Sequence, residues 1–546
     1  MSLRRQTFLQ GAVILLAAGI VNRLLGFVPR IALPRMIGAE GVGLIQLVYP
    51  FLIVVLTIIT GGLPLAVAKL VAEAEARGDE LRVRRVLHTA ITLAGLTGLA
   101  GAIACYALSD WVSGTLMTDS RVHDAFVTML PMLPIVAVSS VWRGYFQGRH
   151  NMIPSAVSQT TETVVRIVLT LVFAWLFLPW GLERAAAGAM LGMVAGEAAG
   201  FLVLWNWMRK ERLQEHPDGD SGRDAPAGEP PSPEGARSGE AAAPPVARFS
   251  FRIAPPDIIR RMLAIAAPVT GSRMIGSLSY LLESILTARS LAAAGVATAL
   301  ATAQYGALQG MVVPLLALPG ALTYSLAVSL VPSLAEAATR NDGATIRKRL
   351  HQSLRLAVAA GAPFSMLMGV LAEPLCQLLY GQSDMAGLLR LLAPLSVFLY
   401  MQPPLQAALQ ALDRPGVALL NSFAGAAVKL TLIVQLASNP RFGIVGAAMA
   451  IGINMALVTV LHWVSVARLT GLRLHPLDFL KIGAAVTVTG AAALWIWNLD
   501  ALSADILNLA AAGGAAASLY VLLLVPLGLI DRHDAARLPL IGRLFR

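Results

Sequence analysis

The chain has 546 residues, of which 56% are hydrophobic and only 13% charged, whereas a soluble domain carries about a quarter charged residues and under half apolar ones. That balance excludes a water-soluble globular protein, and the lack of any recurring polar/apolar alternation argues against an outer-membrane barrel. The net charge of +11 does not indicate nucleic-acid binding, because the Lys and Arg gather in alternate connections between apolar runs and no basic stripe carries interleaved aromatics.

Runs of about 20 apolar residues can cross a bilayer as helices. In chain order they predict spans at 9–33, 44–68, 88–108, 125–141, 154–178 and 185–208. A second set follows at 262–288, 300–331, 352–372, 388–411, 416–437 and 444–467, and two more near 481–498 and 505–530. The expected fold is therefore all-α integral membrane, with about fourteen transmembrane helices. Arg4 and Arg5 before the first run resemble a secretory signal. The run continues past Arg23 to about Leu33 without a convincing small-residue cleavage site, so it reads as a retained first span. Residues 209–257 contain HPDGDSGRDAPAGEPPSPEGARSGEAAAPPVAR, too poor in apolar surface to fold, and predict a disordered cytoplasmic linker.

Charge placement sets the orientation. The connection after the second span carries Lys69, Arg77, Arg82, Arg84 and Arg85, and the one after the eighth carries Arg340, Arg347, Lys348 and Arg349. Putting both termini in the cytoplasm places about 30 of the 42 Lys and Arg inside.

The same two connections reveal a repeat. VAEAEARGDELRVRRVLH (71–88) aligns without gaps to LAEAATRNDGATIRKRLH (334–351), pairing Glu73 with Glu336, Asp79 with Asp342 and His88 with His351. The same offset pairs Pro131 with Pro394 and Arg166 with Lys429. With another offset, RMIGAEGV (35–42) matches RSLAAAGV (289–296). Six spans per repeat make the two copies parallel, with a cavity expected between them. The organisation that follows is a six-helix lobe over 1–208, the linker over 209–257, a second six-helix lobe over 258–470, and two added helices with a cytoplasmic tail over 471–546.

Charges inside spans cost about 2.5–3.5 kcal/mol each on insertion scales, so they face a cavity or a partner. Arg23 and Arg30 lie seven residues apart, on one face of the first span. Guanidinium forks suit phosphate oxygens; an ion pair or snorkelling at an interface is the plainer alternative. Arg273 sits in SRMIG where the first span has NRLLG, and Glu283 follows on the same helix. Glu162 and Arg166, four apart, can pair with each other. Lys429 is the repeat partner of Arg166, but Gly425 stands where Glu162 would be, so Lys429 lacks that local acid. Glu197 is a lone acid in the sixth span. Arg23, Arg30, Arg273, Lys429 and Arg166 are thus the candidate substrate-binding cations. Glu162, Glu197 and Glu283 are the candidate coupling acids, with interhelical bonding as their alternative.

No GxSxG, HExxH, Walker-type or CxxC motif occurs, so neither an enzyme, a metal site nor a cofactor is expected. Cys105 and Cys376 each lie in an apolar run and read as small buried hydrophobes.

The stretches GIVNRLLGFVPRIALPRMIGAEGVGLIQLVYP, GGLPLAVAKLVAEAEARGD and FQGRHNMIPSAVSQTTETVVRIVLT resemble the stage V sporulation protein B group of polysaccharide biosynthesis proteins. These belong with the MurJ-type lipid II flippases in the multidrug/oligosaccharidyl-lipid/polysaccharide exporter superfamily. The resemblance covers essentially the whole chain outside the linker. It implies two six-helix lobes, alternating access, a lipid-linked saccharide diphosphate as substrate, and a role for the first-span arginines, which falls on Arg23 and Arg30. The MurJ branch spaces these arginines one residue closer and carries a basic pair in its second span. This chain has uncharged LTIITGG there, which favours the sporulation branch.

The resulting expectation is a flippase in the bacterial cytoplasmic membrane. It would move an undecaprenyl-pyrophosphate-linked saccharide to the outer leaflet, aided by a coupling ion or the membrane potential. The rivals are a drug/cation antiporter of the same superfamily and a non-transporting scaffold for cell-wall synthesis.

Overall fold

The computed structural model describes residues 18, 19, 21, 22, 25–215, 256–473, 475–500 and 504–528. Among these residues the secondary structure is helical, without strands. The first repeat comprises α1 (Phe27–Thr60), α2 (Leu63–Glu75), α3 (Glu80–Ala107), α4 (His123–Met129), α5 (Met132–Gly148), α6 (Ile153–Phe177) and α7 (Leu182–Glu215). The second comprises α8 (Pro256–Ala293), α9 (Thr298–Tyr305), α10 (Gly320–Thr339), α11 (Gly343–Val370), α12 (Ala372–Tyr380), α13 (Ala386–Leu392), α14 (Ser396–Ala411), α15 (Pro415–Ala437) and α16 (Ile444–Thr470). The added pair is α17 (Pro476–Asn498) and α18 (Asp505–Leu524).

The repeat is legible in the backbone. Gly78 and its counterpart Asn341 both adopt positive φ, 69° and 54°. Asp79 and Asp342 then cap the next helix, each carboxylate accepting a 2.9 Å bond from the backbone N–H three residues on, in Arg82 and Thr345. The packing repeats as well. In the first copy α3 lies on α5, α2 on α5 and α6 on α7; in the second, α11 lies on α14, α10 on α14 and α15 on α16. The added helices pack on each other and, through α17, on α11.

Among the described residues nine helices are long and apolar enough to cross a membrane, or up to eleven if two bent pairs, α4 with α5 and α13 with α14, each count as one. Three of the fourteen spans expected from apolar runs are not among them. Of the expected span at 9–33, residues 9–17, 20, 23 and 24 lie outside the described residues. The expected span at 262–288 is α8, whose apolar run is interrupted by Arg273 and Glu283. The expected span at 300–331 is broken into α9, a π-helical stretch Gly306–Val312, a turn at Val313–Leu316 and α10. The linker expected over 209–257 falls largely outside the described residues, but α7 runs on to Glu215 and α8 begins at Pro256.

The repeats meet along α1. Gly38, at φ 67°, kinks it. Beyond the kink, α1 packs against α8, α9 and the π-helical stretch. Contact there is backbone-close: a Cβ on Gly43 would lie 2.0 Å from the Thr302 carbonyl oxygen, and one on Gly306 would lie 2.1 Å from that of Ala39. Cys105 and Cys376 are both buried and free.

Candidate functional site

The intramembrane charges fall into three groups rather than one. The first lies along the α1–α8 seam. Arg30 is exposed, with its guanidinium carbon 5.6 Å from the Phe27 ring centroid. It is close enough to act electrostatically on Tyr280, whose hydroxyl lies 3.3 Å from the Gln46 side-chain oxygen. Arg273, also exposed and two turns along α8 from Tyr280, donates from Nη1 to the Gly61 carbonyl at 2.7 Å. Gly61 and Gly62 are the break between α1 and α2, where the Gly62 N–H donates to Thr270 Oγ1 at 3.0 Å. Arg273 therefore reads a carbonyl that the helix break has freed. Among the described residues neither Arg30 nor Arg273 forms an ion pair. Arg23 lies outside the described residues.

The second group corrects the expectation for Lys429. Its ammonium is bonded to the Glu283 carboxylate, and the two side chains are only 11% and 7% exposed. The other Glu283 oxygen accepts from Gln309, in the π-helical stretch. Lys429 is thus neutralised by an acid from α8, a tertiary pairing that no local spacing on its own helix could disclose. A π-turn often marks a functional position; here it aims Gln309 at the pair.

The third group lies within the first repeat. Arg166 bonds Glu162 at 3.2 Å, the local pairing, so it too is no free cation. Arg143 of α5 reaches the other Glu162 oxygen at 2.7 Å. Arg143 was not among the expected residues; it sits just past the end of the expected span 125–141, where it reads as an interfacial charge. Glu197 completes this group on α7, beside Glu162.

At one end of the bundle the two repeats are tied together. The Asp119 carboxylate accepts from Arg121 at 2.7 Å and, across the repeats, from Thr302 at 2.8 Å; Arg121 also pairs with Glu40 at 2.6 Å. Arg35 donates to the Leu379 carbonyl at 2.8 Å and also to that of Leu378, while Arg289 donates to the Thr115 carbonyl at 2.8 Å. Arg35 and Arg289 are repeat partners, and so are Thr115 and Leu378. This closure is therefore reciprocal: each repeat sends an arginine to the same point on the other. Among the described residues no group of three or more His, Cys, Asp or Glu could hold a metal ion.

Residues 8–338 match the family model described as polysaccharide biosynthesis protein. The chain is 38% identical over 544 residues to stage V sporulation protein B of Bacillus subtilis (strain 168), covering 99% of each. It is 24% identical over 448 residues to the lipid II flippase MurJ of the same organism, covering 78% of this chain and 77% of that protein. Among solved structures, MurJ in an inward closed conformation superposes with a TM-score of 0.67 at 13% identity, covering 94% of this chain and 98% of that one. An inward-facing multidrug resistance transporter of the MOP superfamily gives 0.61 at 14%, covering 82% and 94%. The chain therefore has the fold of these membrane transporters, and its relatives and neighbours are carriers or sporulation proteins rather than enzymes.

Proposed function

Because this chain belongs to the polysaccharide biosynthesis protein family, we propose that it is an alternating-access flippase. It moves an undecaprenyl-pyrophosphate-linked saccharide from the cytoplasmic to the outer leaflet of the bacterial cytoplasmic membrane, with both termini in the cytoplasm. One observation carries the anionic headgroup: Arg30 and Arg273 are exposed intramembrane guanidiniums without an acid among the described residues, whereas Lys429, Arg166 and Arg143 each hold one. An unpaired guanidinium at membrane depth needs water or an anion. Two of them on α1 and α8, which pack together where the repeats meet, suit a diphosphate through forked hydrogen bonds. Arg23, seven residues before Arg30 in the sequence, is the further cation that this reading assigns to the headgroup.

In this reading the headgroup enters between the repeats from the cytoplasm while the polyprenyl tail stays in the bilayer. The outer closure built by Arg35, Arg289 and Asp119 then releases as the inner ends approach. The diphosphate carries negative charge outward, a direction the membrane potential favours. The test is binding of a sugar-capped polyprenyl diphosphate to the purified protein in nanodiscs. Arg30→Ala and Arg273→Ala should each weaken it by at least about tenfold, the cost of one charge-assisted contact. Wild-type affinity in both variants would refute the site.

A further inference from the structure

The Arg143–Glu162–Arg166–Glu197 group holds more charge than a structural pair requires. Glu162 is 8% exposed and Glu197 9%. The two guanidiniums both go to Glu162, one to each oxygen. Among the described residues Glu197 receives no guanidinium bond: its Oε2 is buried without a hydrogen-bond partner, and it lies on α7 against Glu162, where a Cβ on the adjacent Gly196 would come within 3.0 Å of the Glu162 carbonyl oxygen. Two ionised carboxylates side by side in a buried setting repel each other, and one proton on the pair removes that cost. A buried carboxyl without a cation of its own is the group that carries the proton.

The neighbours on every side are accounted for. From α6 the facing charges are Glu162 and Arg166, and from α5 Arg143. On α1, Arg30 and Tyr49 look toward Tyr280, Arg35 binds the carbonyls at the end of α12, and Glu40 binds Arg121. On α4, His123 lies 3.6 Å from Asp124 and 3.4 Å from Asp110. Ser158 adds a polar wall, donating to the Gly200 carbonyl at 3.0 Å.

We propose that Glu162 and Glu197 form a proton-binding dyad, and that its occupancy is linked to binding of the anionic headgroup through Arg166. With both carboxylates ionised the four side chains cancel. One proton, taken up from water onto Glu197 and donated in a hydrogen bond to Glu162, leaves the group with a single positive charge. Arg166 carries the exposed edge of the group, its side chain 35% accessible, so this charge is felt where a ligand can approach. Proton uptake and anion binding then reinforce each other, as linkage requires. The linkage half rests on the flippase reading above; the dyad itself does not.

The experiment therefore has two arms on the full chain in nanodiscs. The first is infrared titration of the carboxylic C=O band from about pH 5 to about pH 9. A band that titrates in this range, and is lost in both Glu197→Gln and Glu162→Gln, establishes the dyad. Its absence from the wild-type protein overturns the proposal whatever the variants do. The second arm measures affinity for a sugar-capped polyprenyl diphosphate, whose phosphates do not titrate in that range. Wild-type affinity should rise at least about fivefold from the alkaline to the acidic end, while Glu197→Gln stays pH-independent at the tight level. A titrating band with pH-independent wild-type binding refutes the linkage. A titrating band with no binding at any pH, in wild type or variant, places the failure in the flippase reading instead.

Discussion

At the scale of single residues, identical charges have opposite meanings according to who faces them. Lys429 and Arg273 both look like free cations in sequence. Lys429 meets Glu283 across the α8–α15 contact, and Arg273 meets a backbone carbonyl. Removing one partner of a buried ion pair strands the other charge at about 3–5 kcal/mol, whereas replacing both with similar apolar or neutral groups is close to neutral. Lys429→Met should therefore lower the thermal stability of the purified protein clearly, and adding Glu283→Gln to it should restore most of the loss. A Lys429→Met variant as stable as wild type would show that the pair is not a structural lock. The local i,i+4 pair of Arg166 with Glu162 was legible from spacing, because both lie on one helix face. Its second cation, Arg143, and the contact to Glu197 were not, since they depend on how α5, α6 and α7 are laid together.

At the scale of elements, the repeat was the most legible feature. Asp79 and Asp342 announce helix starts by residue type alone, and the capping bonds fall where the alignment puts them. Breaks inside apolar runs were legible only where prolines mark them, as at Pro131, Pro314 and Pro319. The π-helical stretch Gly306–Val312 has local breakers in Gly306, Gly310 and the following Pro314, but the backbone-close packing of α1 on Gly306 could not be read from them. The reciprocal closure was hidden, because its acceptors are backbone carbonyls that any residue supplies. Burial pushes the Asp119 carboxyl up, but the hydrogen bonds from Arg121 and Thr302 outweigh this and hold it below the ordinary 3.8. A group depressed in this way contributes its full stabilisation above the unfolded value and loses it as pH falls through the folded one. The closure should thus hold evenly through neutral pH and weaken only in acid below about that value. The double variant Arg35→Ala/Arg289→Ala loses charge-assisted bonds of roughly 1.5–3 kcal/mol each, so it should open this end at neutral pH. Spin labels on the ends of α3 and α12 at this closure should report a longer or broader distance distribution; an unchanged one would mean that these arginines do not hold the end closed.

At the scale of the whole molecule, composition and charge asymmetry already spoke for a multi-pass membrane protein, and the number of helices alone remained hard to read because α8 and the α9–α10 region are interrupted. The central claim is that unpaired guanidiniums where the repeats meet carry an anionic, lipid-linked headgroup across the bilayer. Its most direct measurement is headgroup translocation of a polyprenyl-diphosphate-linked saccharide in proteoliposomes, read by exposure to a membrane-impermeant enzyme. The wild-type protein should expose the headgroup well above protein-free vesicles, and Arg273→Ala and Arg23→Ala should each slow this by about tenfold or more. Equal rates in the wild type and both variants, or a wild-type rate no greater than that of empty vesicles, would contradict it.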